Sequence, residues 1–282
     1  MGRSTRARKE PITRTGQPRI GKSSTATQAT ISRFHTLLKR QAQLKSKLQS
    51  ACSSKSVQEL AEVEREMEDL GGLAAYQEAS ILGQDETRGG DTSKVLVTWL
   101  KELNIRPAKE GSKLRMLEIG ALSPRNYAAM QPFIHNEPID LNSQHPDIVQ
   151  QDFLQRPLPL DETDRYDIVS CSLVLNFVPD PHDRGKMLRL IHGQLEDYGH
   201  VFLVLPRPCI ENSRYLDNEL LTRIMRHVGF KEVIRKDKEG AKVVYSLWQK
   251  QKPVRVSAAA ELATKRVLRT GGKRNNFCVL LK

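Results

Sequence analysis

The segment from Leu114 to Gly120 constrains the fold more than any other part of the chain. It is a short apolar run, Leu114-Arg-Met-Leu-Glu-Ile, that stops at a glycine. From there to about residue 248, short apolar runs alternate with stretches of helical periodicity. That alternation marks βαβ units and a parallel sheet, because parallel neighbours need a crossover long enough to hold a helix. Strands are expected at residues 114–119, 138–141, 147–151, 166–172 and 200–205, and helices at 125–133, 184–195 and 215–228. Residues 230–234, 242–248 and 277–281 read as further strands, two of which can form a terminal antiparallel pair. The expected class is α/β, a Rossmann-like sheet.

In an open parallel sheet a ligand binds beyond the carboxyl ends of the strands. Gly120 ends the first strand, and about twenty residues later Ile139-Asp140-Leu141-Asn142 ends the second. A glycine there lets the backbone approach a ligand, and Asp140 can accept from both hydroxyls of a ribose. After the third strand, Asp152 and Phe153 place a carboxylate and an aromatic where an adenine amino group and ring of the same ligand would lie; the plainer alternative for Asp152 is a loop cap. A nicotinamide enzyme would carry a fuller glycine motif, whereas Ala121-Leu-Ser-Pro-Arg125 contains no second glycine. The passage Tyr166–Asp180, followed by Met187, Leu188, Ile191, Leu195, Gly199 and a fifth strand, instead resembles class I methyltransferases.

The stretches Leu117-Glu-Ile-Gly-Ala-Leu-Ser123, Ile139-Asp-Leu-Asn-Ser143, Gln151-Asp-Phe153, Ser172-Leu-Val-Leu-Asn-Phe-Val-Pro179 and Leu203-Val-Leu-Pro-Arg-Pro-Cys209 together resemble the fungal 25S ribosomal RNA adenine-N1 methyltransferase family. Gly71-Gly-Leu-Ala-Ala-Tyr-Gln77 and Arg88-Gly-Gly-Asp-Thr-Ser-Lys94 do so as well, and the similarity covers roughly residues 70 to 248. The resemblance implies an S-adenosylmethionine-dependent enzyme that methylates large-subunit rRNA in the nucleolus during ribosome biogenesis, with the pre-ribosome as partner; a monomer is expected. It implies Gly120 and Asp140 as cofactor contacts, with Asp152, Phe153, Ser172 and Arg88 as further candidates. Animal relatives resemble the family in the cofactor domain yet are regarded as sensors of the cofactor. A non-catalytic sensor is therefore the competing expectation, and a small-molecule methyltransferase is a third.

Charge separates these readings. The net charge of +12 is unevenly spread: about +11 lies in residues 1–50, about +8 in 250–282 and about −7 between. The first 28 residues carry Arg3, Arg6, Arg8, Lys9, Arg14, Arg19 and Lys22 among polar and turn-forming neighbours, a composition that buries too little to fold alone. They are read as a disordered leader that serves as a nuclear address or an RNA-binding arm, the plainer alternative being a solvated tail that only aids solubility. Residues 29–110 form a helical region in which Ile31, Phe34, Leu37, Leu38, Leu44 and Leu48 recur at helical spacing, as do Val57, Leu60, Ala61, Met67 and Leu70. Gly71-Gly72 is a stop signal, and Asp91 a candidate N-cap for a helix through Val95 and Trp99. Lys39, Arg40, Lys45 and Lys47 are on the plainer reading a solvated helix face, and the alternative is that they join the leader in a continuous RNA track. Residues 111–282 are the cofactor-binding domain, with a basic insertion at about 250–274 before the last strand. No apolar run reaches the length needed to span a bilayer, so no membrane partner is expected. The cysteines at 52, 171, 209 and 278 are singletons without metal spacing, so no metal is expected either.

Methylation of adenine N1 needs no general base, because that nitrogen carries a free lone pair near neutral pH; the catalytic groups are to be sought among residues that hold the base. The candidates are Asn176, Phe177 and Pro179 after the fourth strand, with Pro206, Arg207 and Tyr215 after the fifth. Asn176-Phe-Val-Pro179 only partly resembles the Asn-Pro-Pro-aromatic loop that grips an adenine amino group. Helix-entry packing is the alternative for Phe177. His145, His182, His192 and His227 are isolated and receive no role.

Overall fold

The computed structural model describes residues 24–50, 53–84, 92–107, 111–251 and 259–281. Three helices come first: α1 (Ser24–Ser50), α2 (Ser54–Asp69) and α3 (Gly72–Gln84). The expected apolar stripe of α1 is real, since Phe34, Leu37 and Leu44 are buried. Gly71 ends α2 with φ +88°, a left-handed turn suited to glycine. Helix α4 (Ser93–Glu102) follows, burying Leu96, Trp99 and Leu100. Its expected cap Asp91 lies outside the described residues.

The sheet comprises β1 (Leu114–Ile119), β2 (Ile134–Asp140), β3 (Val149–Gln150), β4 (Tyr166–Ser172), β5 (Leu195–Pro206), β6 (Phe230–Lys236) and β7 (Val243–Lys250). Its order is β3-β2-β1-β4-β5-β7-β6. The first five strands are parallel, and β7 lies antiparallel between β5 and β6. This order reverses beside β1, where a crevice opens at the carboxyl ends of the strands. Helices α5 (Pro181–Gln194) and α7 (Asn218–Val228) cover one face with a core that includes Leu188, Ile191, Leu221, Met225 and Trp248. On the other face α4 packs with Met116, Ile134, Phe202 and Leu247.

Two expected elements are corrected. Residues 125–133 form turns and a short 3-10 segment, Ala128–Met130, rather than a helix. The backbone there is bonded elsewhere: Ser93 Oγ donates to the Asn126 carbonyl at 2.8 Å, and the Asn126 side chain donates to the buried Glu118 at 2.6 Å. Such side-chain partners compete with the helical ladder, and α4 supplies the helical cover on that face. Residues 277–281 are buried but do not join the sheet; Leu280 N donates to Pro181 O at 3.0 Å and Leu281 N to Leu262 O at 2.8 Å. This segment lies so close to α5 that a Cβ at Gly185 would collide with the Leu280 carbonyl. The basic insertion therefore leads into a core-filling segment, through the short α8 (Ala259–Leu262), not into a strand.

Candidate cofactor and acceptor site

The crevice brings Gly120 and Asp140 together, because β1 and β2 run in register and both Gly120 N and Ala121 N donate to the Ile139 carbonyl at 2.8 and 3.0 Å. Gly120 has φ +73°, and a Cβ there would strike Val174, which crosses from the end of β4. Leu173, also left-handed at φ +58°, turns the chain out of β4 toward that position. Asp140 is half-buried. One of its oxygens accepts from Asn142 N at 2.8 Å, and burial pushes its carboxyl above the usual carboxylate range. A desolvated carboxylate with an oxygen to spare suits a donor-rich diol. Beside it Leu141 leaves 66 % of its surface exposed, an apolar face open to a ring. Asp152 stands half-buried at the end of β3 and caps Leu154 N at 2.9 Å, as the plainer alternative anticipated. These groups fit the adenosine part of S-adenosylmethionine.

Not every candidate joins them. Phe153 is 3 % exposed and packs in the core, so it offers no free ring face. Ser172 ends β4 and shares a hydrogen bond with Thr92 Oγ1 at 2.8 Å, which ties α4's entry to the crevice. Arg88 lies outside the described residues.

On the acceptor side, Asn176 is buried, and its Oδ1 finds no partner among the described residues. Phe177 is half-buried, and Pro179 is exposed. The ring of Phe177 meets His35 of α1 edge-on and Tyr76 of α3 at 5.5 Å between centroids, while Phe34 stacks on Tyr76 at 4.9 Å. Burial, and then the neighbouring Lys39 charge, push the His35 pKa down to about 3. Burial raises the Tyr76 phenol, opposed by a hydrogen bond from Ser80 and reinforced by the charge of Asp140. The N-terminal helices thus roof the site from the Asp140 side to Phe177.

Arg207 and Tyr215 are corrected. Arg207 turns to Glu211 at 2.7 Å and Asp237 at 3.1 Å, where its charge is matched, and Tyr215 lies under Lys265. The lysine track on α1 is corrected as well. Arg40 pairs with Glu59, Lys45 with Glu64 at 3.5 Å, and Lys39 is half-buried toward Arg184, Cys209 and Cys278. Acidic residues of α2 take up the charge that the sequence left free.

A family model described as 25S rRNA (adenine(2142)-N(1))-methyltransferase, Bmt2, matches residues 61–279. The chain belongs to this family. It is 37 % identical over 228 residues to the 25S rRNA (adenine(2142)-N(1))-methyltransferase of Saccharomyces cerevisiae, covering 80 % of this chain and 64 % of that protein. It thus spans less than two thirds of the budding-yeast relative. It is 37 % identical over 261 residues to the 25S rRNA adenine-N(1) methyltransferase of Schizosaccharomyces pombe, covering 89 % of this chain and 90 % of that one. Among solved structures, 1,6-didemethyltoxoflavin-N1-methyltransferase of Burkholderia thailandensis is similar at 14 % identity and a TM-score of 0.47, over 64 % of this chain and 88 % of that chain.

In this Bmt2-family chain the sequence passed over one residue that organises the acceptor side. Arg184 of α5 is only 2 % exposed, and it donates to Val178 O at 2.8 Å, Pro179 O at 3.1 Å and Cys278 O at 2.6 Å, with its guanidinium over the Phe277 ring. It clamps the loop carrying Asn176–Pro179 to a segment 94 residues away. His35 and Tyr76 were missed too. An arginine inside a predicted helix and two ring residues in a helical cap carry no local signal of a site. Among the described residues, no cluster of metal-ligating side chains occurs and no helix is long and apolar enough to cross a membrane.

Proposed function

We propose that this chain transfers the methyl group of S-adenosylmethionine to N1 of an adenine in large-subunit ribosomal RNA, within the nucleus and nucleolus. Family membership across residues 61–279 carries this reading, and the free oxygen of the half-buried Asp140 beside Gly120 supports it. Gly120, Asp140, Leu141 and Asp152 hold the adenosine end, with Ser172 bordering the crevice. The cofactor, when bound, supplies an electrophilic methyl group on a sulfonium.

The chain's own residues have to extract the base and orient it, since N1 lies on the Watson–Crick edge. Asn176 Oδ1, a buried acceptor without a partner, accepts from the adenine amino group; satisfying it repays its desolvation. Phe177, backed by His35 and Tyr76, forms the wall on which the base rests. Pro179 lies at the mouth. So held, N1 would present its own lone pair to the methyl group, and no residue has to take a proton from that nitrogen.

The test combines cofactor binding with nucleoside mass spectrometry of a large-subunit rRNA fragment. Wild type is expected to bind S-adenosylmethionine and form 1-methyladenosine, and Asp140→Ala to lose ~100-fold in cofactor affinity, about the loss of two hydrogen bonds to a charged group. Wild type that binds the cofactor but leaves every adenine in rRNA unmodified would put a cofactor sensor in place of the enzyme.

A further inference from the structure

Between Ala263 and Asn276 the chain carries five basic residues and no acidic one. This strap is irregular yet firmly held. Arg269 donates to the carbonyls of Ile210 and Leu216 at 2.8 and 3.1 Å, and Arg214 donates to Gly271 O and Asn276 Oδ1 at 2.9 and 2.6 Å. Asn212 and Asn275 add bonds to Lys273 O at 3.1 Å and Pro208 O at 2.6 Å. These acceptors are neutral and fix the loop without cancelling its charge, whereas Arg266 and Arg269 also meet Glu261 at 3.0 Å and Asp217 at 3.9 Å. Among the described residues, Lys265, Arg214, Lys273 and Arg274 form no ion pair with a carboxylate, and Lys265 and Lys273 are exposed.

Position matters as much as charge. The strap is fastened to residues 208–216, which follow the carboxyl end of β5 through the short α6 (Pro208–Glu211). The segment after it is fastened by Arg184 to Val178 and Pro179, beyond the end of β4. The basic strap therefore borders the rim that carries Asn176–Pro179. We infer that residues 265–274, with Arg214, form a docking surface for the RNA phosphate backbone beside the acceptor pocket. Ordered cations on a fixed loop grip phosphates and set register without reading sequence, while the pocket selects the base. This inference rests on the rRNA methyltransferase reading and names where its substrate is held.

The test is fluorescence anisotropy with a large-subunit rRNA fragment across a salt series, joined to methylation kinetics on the same RNA. The triple variant Lys265→Gln, Lys273→Gln, Arg274→Gln is expected to bind ~10-fold more weakly, with a salt slope flatter by ~2, from three lost phosphate contacts. KM for RNA should rise with it, while kcat at saturating RNA and S-adenosylmethionine affinity stay at wild-type levels. Lys265→Arg, Lys273→Arg, Arg274→Lys, which keeps the charge, should restore binding and so separate charge from folding damage. Wild-type affinity and slope in the triple-Gln variant would overturn the strap while leaving the enzyme intact. A wild-type protein that binds S-adenosylmethionine but no RNA would overturn both.

Discussion

Arg33, Arg40 and Lys45 of the N-terminal helices face Glu66, Glu59 and Glu64 of α2, whereas in the strap Lys265 lies over the Tyr215 ring, Arg274 donates to the Thr270 carbonyl and Lys273 is exposed. Both regions look like RNA-binding tracts in composition. In the first, cations and anions at matching helical spacing cancel across an interface that is seated by Phe34 and His35 against Tyr76 and Phe177. In the second, the fastening groups are mostly neutral acceptors, and although Arg266 and Arg269 meet Glu261 and Asp217, the charge of Lys265, Lys273 and Arg274 survives. A run of basic residues thus becomes a nucleic-acid surface only where the fold withholds carboxylates from it, and a linear count of charge cannot tell the two apart.

The comparison can be broken most severely at Arg184. Arg184→Leu leaves the buried Val178 and Cys278 carbonyls and the partly buried Pro179 carbonyl without this donor and releases both the acceptor loop and the segment behind the strap, at a cost of about 3 kcal/mol by urea denaturation. A loss below about 1 kcal/mol would mean that the strap is held without the clamp.

Acid should act on the N-terminal region through His35. The His35 pKa is lowered in the folded state, so the unfolded chain binds the extra proton and stability falls as pH drops below about 6.5, continuing toward about 3. The expected loss is about 1 kcal/mol by pH 5.5. Thermal unfolding at pH 7.5 and 5.5 checks it, because His35→Leu should reduce the difference by about that amount and leave the share of the half-buried His200, whose pKa burial lowers to about 4; equal pH sensitivity in that variant would remove His35 as a cause.

The smallest effect belongs to the α2 acids. Glu59→Gln, Glu64→Gln, Glu66→Gln should change stability by under about 1 kcal/mol per exposed pair. It should also raise RNA affinity ~3-fold as the freed α1 cations contribute to the general attraction. A rise as large as the loss in the strap variant would erase the distinction between the two regions.

What the sequence made legible was local. The bounds of the strands at 114–119 and 166–172 match β1 and β4, and the glycine and acid that end β1 and β2 lie side by side, because strand periodicity and strand-end chemistry are written in neighbouring residues. What escaped depends on partners far along the chain. Residues 125–133 have helical periodicity, but Ser93 and Glu118 capture Asn126. Residues 277–281 have strand character, but α5 and α8 take their hydrogen bonds. The α1 cations read as free until α2 folds against them, and Arg184 reads as one more helical arginine until Cys278 comes within reach.

The distance between Arg184 and Cys278 also sets a timetable. At ~5–20 residues per second, ribosomes take ~5–20 s to advance the 94 positions from Arg184 to Cys278, and until they do, the groove along α5 where Phe277, Val279 and Leu281 lie stays unfilled. The protein therefore completes its core from residues made long after its cofactor crevice. A translational pause within the basic strap would prolong the stage at which that groove is exposed to chaperones.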